Sequence, residues 1–291
     1  MSNPILHKYS GAGNDFLVLD GRSEDVSLYR KVETIQSLCD REKGFRAADG
    51  RIGADGLMIL GNAEGYDFRM EYYNSDGSGG MMCGNGGRCI VAFAISLGIH
   101  PSDGKSFRFI ASDGEHSAIS LPCDLTPNTH GGIWTIKLRM IDVHTFHPAL
   151  DGYFLDTGTR HFVRIVPDVE KVDIEKEGKE ARMDPAFAPI GANANFISRW
   201  QDGILKIRTF EKGVEAETLA CGTGITASAI AAYLSGISPL EDNGGSIHYE
   251  LQARIDRLCV DFRPTERMTA DGKNEKYFTE VYLTGPAEEI L

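Results

Sequence analysis

The chain has 291 residues, of which 42% are hydrophobic, and a formal net charge of −12. This length and apolar content suffice for a sizeable core, and they allow one large or two medium domains. The acidic balance argues against nucleic acid or an anionic membrane surface as a partner, because both require a face rich in Lys and Arg. No apolar run reaches about 18 residues and no signal-peptide pattern is present, so we expect a cytoplasmic protein with its cysteines reduced.

Strand-like segments outnumber helical ones along the chain. Eleven runs carry β-branched or aromatic residues between turn signals, and most of them alternate in polarity. These runs are 16–19, 57–60, 68–73, 107–111, 133–138, 162–166, 195–198, 204–210, 247–253, 258–262 and 276–283. One amphipathic helix is indicated by Leu28, Val32, Ile35 and Leu38. Many strands with few helices predict an α+β fold.

Two similar cysteine segments, CGNG at 83–86 and CGTG at 221–224, lie nearly half the chain length apart. Each precedes an apolar run, at 90–97 and 225–234, that indicates a buried helix. Each cysteine is therefore expected at a helix N-terminus, where unpaired N–H groups and the helix dipole favour a bound carboxylate and lower a thiol pKa from about 8.5. The repeat predicts an internal duplication and one site with two facing cysteines.

The other cysteines have no such glycine setting. Cys39, Cys89, Cys123 and Cys259 are expected to be small hydrophobic residues. No C-x-x-C motif and no histidine at ligand spacing occur, so no metal site is predicted. Residues 222–227 match the dinucleotide fingerprint G-x-G-x-x-A, but the preceding strand at 204–210 ends about ten residues too early for that turn.

Two further segments are read from composition. Residues 122–132, rich in Pro, Thr, Asn and Gly, form the predicted loop nearest the middle of the chain. Residues 171–182 are interpreted as a solvated charged stretch without chemistry of its own.

Three motifs make the chain resemble a known family. GNDF at 13–16, the stretch from YNSDGS to MCGNGGRC at 73–89, and ETLACGTG at 217–224 resemble the PLP-independent diaminopimelate epimerases. The resemblance implies two pseudo-symmetric domains, each a curved, barrel-like mixed sheet around a central helix, with the active site in the cleft between them. The expected halves are 1–139, joined by a returning tail at 286–291, and 140–285.

Inverting an amino-acid α-carbon requires a base on one face and an acid on the other. A thiolate and a thiol serve both roles and exchange them when the other stereoisomer enters, so no cofactor is expected. Charge developing on the substrate carboxylate would be met by N–H groups at the two helix starts. Those donors are expected at Gly84, Asn85, Gly222 and Thr223.

The resemblance implies roles for individual residues. Cys83 and Cys221 would be the acid/base pair, with His161 and Glu211 tuning their protonation. The substrate's polar ends would be held by Asn14, Asn74, Asn193, Glu211 and Lys212. Three positions depart from the usual family pattern: Lys212 stands in place of Arg, Thr159 in place of Asn, and Gly56 where some members have Gln.

The expected reaction interconverts LL- and meso-2,6-diaminopimelate in lysine biosynthesis, and a homodimer is the candidate assembly. The alternatives are a two-cysteine racemase acting on proline or hydroxyproline, and a non-catalytic thiol redox switch. The set Asn74, Asn193 and Lys212 favours a substrate with a second, distal amino-acid end, which proline lacks. A redox switch would not need a glycine beside each thiol.

Overall fold

The computed structural model describes residues 4–23, 25–121, 132–268, 272 and 274–290. Cys123 and residues 122–131 of the loop predicted at 122–132 lie outside these residues. The chain divides into two compact units, one formed by the described residues of Met1–Leu138 with Gly285–Leu291, the other by those of Arg139–Thr284. They are called the N-terminal and C-terminal units below.

The N-terminal unit is a closed barrel around one helix. Its strands are β1 (His7–Gly11), β2 (Asn14–Asp20), β3 (Gly56–Gly61), β4 (Phe68–Asn74), β5 (Phe107–Ala111), β6 (Gly114–Leu121) and β7 (Ile133–Arg139). Its helices are a 3-10 turn (Ser27–Arg30), α1 (Val32–Cys39) and α2 (Gly84–Ser96). Residues 285–290, the end of a long later strand, pair with both β7 and β1 and close the barrel.

The C-terminal unit contains the remaining strands. They are β8 (Phe146–Ala149), β9 (Gly152–Asp156), β10 (Arg160–Ile165), β11 (Asn193–Arg199), β12 (Leu205–Glu211), β13 (Ala216–Thr218), β14 (Glu241–Asn243), β15 (Ser246–Gln252), β16 (Arg257–Met268) and β17 (Asn274–Ile290). The helices are α3 (Lys179–Arg182), α4 (Gly222–Leu234), a π-helical turn (Ile174–Gly178) and 3-10 turns (Val169–Lys171, Pro185–Phe187, Gln201–Gly203).

Both units follow one strand order. Neighbouring strands of the series β2-β3-β4-β5-β6-β7 pair parallel, antiparallel, parallel, antiparallel and antiparallel. The series β10-β11-β12-β15-β16-β17 repeats that succession. The helix α2 lies between β4 and β5 in the chain, and α4 lies between β12 and β15. This repeated topology supports the duplication inferred from the cysteine segments and confirms the α+β, barrel-like fold class.

Each central helix is enclosed because its sequence offers almost no polar face. Every residue of α2 from Gly84 to Ala94 is buried, and the helix contacts β1, β2, β3 and β6. The helix α4 contacts β9 to β12, β15 and β16. The fully buried Arg88 is tolerated in α2 because its guanidinium donates hydrogen bonds to Gly84 O, Asn85 Oδ1 and Pro286 O.

All eleven predicted strands are present, whereas two local predictions are wrong. The helix expected across 28–38 is two pieces, because Lys31 is extended with ψ 133° between the 3-10 turn and α1. The stretch 171–182 is not simply solvated: it folds into short helical turns whose Val172, Ile174 and Ala181 join a buried cluster of the C-terminal unit. Apolar residues spaced through the charged run cause this, since they turn inward while the charges stay outside.

Candidate active site

The N-terminal cysteine begins the buried helix α2. Cys83 is its N-cap, with an extended backbone at φ −107° and ψ 153°, and its Sγ accepts a hydrogen bond from the Gly86 N–H at 3.2 Å. A Cβ on Gly86 would lie 3.2 Å from the same sulfur, so glycine permits this close approach. The sulfur thus lies at the positive end of a helix dipole, which favours negative charge there. The predicted N-terminal position of this cysteine is confirmed.

A chain of side-chain hydrogen bonds extends from the start of α2. Asn85 Nδ2 donates to Asn14 Oδ1 at 2.6 Å, and Asn14 Nδ2 donates to Asp55 Oδ2 at 2.8 Å. On its other side, Asn85 Oδ1 accepts from Arg88 Nη2 at 3.0 Å. The structure therefore brings together the predicted residues Asn14 and Asn85. Sequence reasoning missed Asp55, whose only signal was its place directly before Gly56 and the strand β3.

The network continues into a buried ion pair. Lys8, 1% exposed, lies 2.8 Å from an Asp15 oxygen, and Arg41 lies 2.7 Å from the other. Burial acts to raise the pKa of Asp15, but hydrogen bonds from Arg41 and Lys8 outweigh it and hold the pKa below its usual range. Arg41 also contacts Asp55. These charges fix the β1–β2 hairpin and the residue before β3, and thereby the Asn14 side chain.

Asn74 lies at the end of β4, where the chain makes a tight turn. Its backbone N–H donates to Ser78 O at 2.9 Å and its Nδ2 donates to Ser78 Oγ at 3.0 Å. Asn74 is also the register partner of Gly56 on β3. A Cβ at Gly56 would lie 2.5 Å from Tyr73 O, so the absence of a side chain at this position is a requirement of the strand packing.

The C-terminal cysteine begins α4 in the corresponding way. Cys221 is the N-cap and is 9% exposed, and its Sγ lies 3.4 Å from Thr223 Oγ1. Thr223 Oγ1 lies 2.9 Å from His161 Nε2, and Thr159 Oγ1 lies 2.8 Å from the same nitrogen. The helix-start position predicted for Cys221 is confirmed, and the Thr223 hydroxyl connects its sulfur with His161.

The hydrogen bonds of His161 fix its tautomer. Asn195 Nδ2 donates to the Phe162 carbonyl at 3.0 Å and to His161 Nδ1 at 3.1 Å, so Nδ1 is an acceptor and the ring proton is on Nε2. Complete burial lowers the pKa of His161 to about 3. The imidazole is therefore neutral and donates to the threonine hydroxyls. Sequence analysis missed Asn195, although its spacing from Asn193 on β11 places both on one face.

Gly224 makes this arrangement possible. A Cβ there would lie 2.5 Å from Asn195 Oδ1 and 3.2 Å from His161 Cε1. Only a glycine in the first turn of α4 lets the strands β10 and β11 bring both side chains against the helix.

The predicted residues Asn193, Glu211 and Lys212 also come together in the C-terminal unit. Asn193 Oδ1 accepts from the Lys212 N–H at 2.8 Å, and Asn193 Nδ2 donates to Arg160 O at 3.1 Å. Burial raises the pKa of Glu211, the last residue of β12. Within the part of the chain that the structure describes, Lys212 forms no ion pair. The residue as a whole is half-buried.

Solved structures define the class of fold. A PhzF-family phenazine biosynthesis protein from Bacillus anthracis superposes with a TM-score of 0.68 at 12% identity, covering 100% of this chain and 98% of that one. A hydroxyproline epimerase from Agrobacterium vitis superposes with a TM-score of 0.55 at 14% identity, covering 98% and 91%. At such low identities these likenesses show the fold alone. The helices in the described part of the chain are too short or too polar to span a membrane.

Sequence comparison gives the family. The diaminopimelate epimerase family profile matches residues 6–118 and 153–254. A diaminopimelate epimerase from Flavobacterium psychrophilum is 38% identical over 98% of both chains, and one from Chlorobaculum tepidum is 37% identical over 97% of both. This chain therefore belongs to the diaminopimelate epimerase family, which confirms the resemblance inferred from its three motifs.

Proposed function

We propose that this chain is an isomerase that interconverts LL- and meso-2,6-diaminopimelate, in lysine biosynthesis, without a cofactor. One observation carries the proposal: in a repeated topology, each unit places a cysteine as the N-cap of its buried helix, at Cys83 and Cys221. Two groups of the same type are what a two-base inversion needs, because each thiol serves one face of the α-carbon. Family membership supports the substrate.

The chemistry of each step follows from the two helix starts. One cysteine, as thiolate, removes the α-proton while the other, as thiol, delivers a proton to the opposite face. The negative charge that develops on the substrate carboxylate is stabilised by N–H groups in the first turns of α2 and α4, which lack intrahelical acceptors. These groups are fixed before substrate binds, so they need no reorganisation during the reaction.

The distal end of the substrate would be held by polar residues that the proton transfer does not use. Asn193 orients the backbone of Lys212 through a 2.8 Å hydrogen bond, and the ammonium of Lys212 provides a point charge for a carboxylate. On the N-terminal unit, Asn14 and Asn74 flank the Asp55–Gly56 segment. We propose these groups as the recognition set for diaminopimelate.

The reaction is tested by solvent exchange in deuterated water. LL-diaminopimelate, and separately hydroxyproline, are incubated with the enzyme, and loss of the α-proton is followed by NMR. Exchange and inversion of diaminopimelate alone support the proposal. Preferential exchange of hydroxyproline would assign the chain to the activity named for one of its structural neighbours.

The two-base assignment is tested by Cys83→Ala and Cys221→Ala, each expected to abolish inversion in a folded protein. The matched control is Cys39→Ala, because Cys39 is buried and burial raises its pKa to about 11, which keeps that thiol inert. Near wild-type turnover in either of the first two variants contradicts the assignment. Circular dichroism establishes that each variant is folded.

A further inference from the structure

The outer face of the β15–β16 pair carries side chains with metal-binding chemistry. Along both strands, alternate residues are buried, and they are Ile247, Tyr249, Leu251, Leu258, Val260 and Phe262. The intervening residues point outward. The antiparallel register places His248 opposite Asp261 and Glu250 opposite Cys259. The four outward side chains therefore form a compact square on the surface of the C-terminal unit.

Three of these side chains have their ligand atoms converging. The ligand atoms of His248, Glu250 and Cys259 all lie within 4.8 Å of one another, with His248 Nε2 3.9 Å from Glu250 Oε1. Ligand atoms around a tetrahedral zinc ion are about 3.3–3.6 Å apart, given metal–ligand bonds of about 2.0–2.3 Å. Small side-chain rotations would close the difference, because all three residues are only half-buried.

The Asp261 carboxylate gives a second observation that supports metal binding, beside the converging ligand atoms. Its Oδ1 lies 2.8 Å from His248 Nδ1, while the other ring nitrogen, Nε2, lies 3.9 Å from Glu250 Oε1. Histidine ligands of metals almost always pair their second nitrogen with a carboxylate or carbonyl in this way. Arg257 binds the opposite carboxylate oxygen of Glu250 at 3.1 Å, so Oε1 keeps its direction toward His248.

We propose that His248, Glu250 and Cys259 bind a divalent transition-metal ion of the zinc class, with Asp261 orienting the histidine. A nitrogen, an oxygen and a soft thiolate sulfur form a donor set typical of Zn²⁺ and unsuited to Mg²⁺ or Ca²⁺. Three protein ligands leave a fourth position for water. The ion would cross-link two adjacent strands outside the proposed active site. Sequence spacing did not reveal this set, because the strand register, and not a local motif, assembles it.

Zinc binding is measured by calorimetry on the full-length, metal-stripped protein, and Co²⁺ provides a spectroscopic probe. We expect one equivalent of Zn²⁺, a thiolate-to-cobalt charge-transfer band, and a rise in melting temperature with zinc. Cys259→Ser and His248→Gln should lose all three. Asp261→Ala should bind about 10–100-fold more weakly, as measured for losses of such orienting groups.

Two controls separate this site from others. His116→Gln removes a histidine that is likewise paired with a carboxylate, Asp113 at 3.1 Å, and should leave binding unchanged. The double variant Cys83→Ser/Cys221→Ser should keep the cobalt band. The competing reading is that the square is a surface ion-pair cluster in which His248 holds a proton. Absence of stoichiometric zinc, binding unaffected by Cys259→Ser, or a band lost with Cys83 and Cys221 overturns the proposal.

Discussion

The hydroxyl of Thr223 is expected to assist proton transfer at Cys221, and Thr223→Val tests this directly. Valine keeps the β-branched shape and the backbone N–H, so the substitution removes only the hydroxyl that lies 3.4 Å from Cys221 Sγ and 2.9 Å from His161 Nε2. The imidazole keeps its contact with Thr159 Oγ1 at 2.8 Å. The protein should therefore stay folded while the sulfur loses a polar neighbour.

The size of the effect follows from the charge on the sulfur. A hydrogen bond to a charged group contributes about 1.5–3 kcal/mol, which corresponds to about 10- to 150-fold in kcat/KM. Both directions should fall by the same factor, because the equilibrium between the stereoisomers is unchanged. Thr159→Val should cost less, since that hydroxyl contacts His161 and Thr223 rather than the sulfur.

Steady-state inversion of diaminopimelate, measured from each isomer, is the assay. Thr226→Val is the matched control: it removes a buried hydroxyl of the same helix, bonded to Gly222 O at 3.0 Å, and should leave turnover near wild type. A Thr223→Val enzyme within about twofold of wild type, less than a single net hydrogen bond provides, would refute the reasoning. So would a larger loss in Thr159→Val.

Three further predictions concern the titratable side chains Lys212, His161 and Lys8. Lys212→Ala should cost about 2–5 kcal/mol of substrate binding, seen as a raised KM, because a desolvated substrate carboxylate loses its partner. Lys212→Arg should be tolerated. An unchanged KM in the alanine variant would mean that another group holds the distal end of the substrate. The pKa of His161 is lowered from 6.5 to about 3, so the stability contributed by the neutral imidazole is present above pH 6.5 and is lost as the pH falls toward 3. Over this range the free energy of unfolding should fall by up to about 1.4 kcal/mol per pH unit. Urea unfolding at pH 7 and pH 5 should show this slope in wild type, and an equal slope in His161→Gln would contradict it. Lys8→Met should reduce the free energy of unfolding by about 3 kcal/mol, the low end for a broken buried ion pair, because Arg41 still neutralises Asp15. Denaturant unfolding measures this change. A loss below about 1 kcal/mol, typical of an exposed pair, would show that the Lys8–Asp15 pair contributes little.

The strands that sequence reasoning found and those it missed differ in one physical respect. The eleven predicted runs carry their own signal in β-branched and aromatic residues. Of the six further strands among the described residues, most are short or polar. The strand β1 shows why they are missed: HKYSG contains a lysine that is buried because Asp15, on the next strand, pairs with it. Such burial depends on a partner, which composition and periodicity do not reveal.

The site residues likewise divide into those that the local sequence predicts and those that depend on strand pairing or burial. The positions of Cys83 and Cys221 at helix starts followed from glycine beside each cysteine and an apolar run after it. Asp55 and Asn195 were missed because strand pairing alone gives each its role. The neutral state of His161 depends on its complete burial. That burial cannot be predicted from a single histidine in a polar stretch of sequence. The roles of the individual residues in turnover stay predictions.

The strand β17 also bears on the order in which the chain folds. Residues 285–290 fill the gap between β7 and β1 in the N-terminal barrel, with Lys8 opposite Ile290. During synthesis on the ribosome, the edges of β1 and β7 stay unpaired until the entire C-terminal unit has been synthesised. Pairing strands of such high sequence separation is slow, because the chain loses the entropy of a long loop before the stabilising contacts between the strands form. The exposed edges of β1 and β7 are then the surfaces that a chaperone would need to protect.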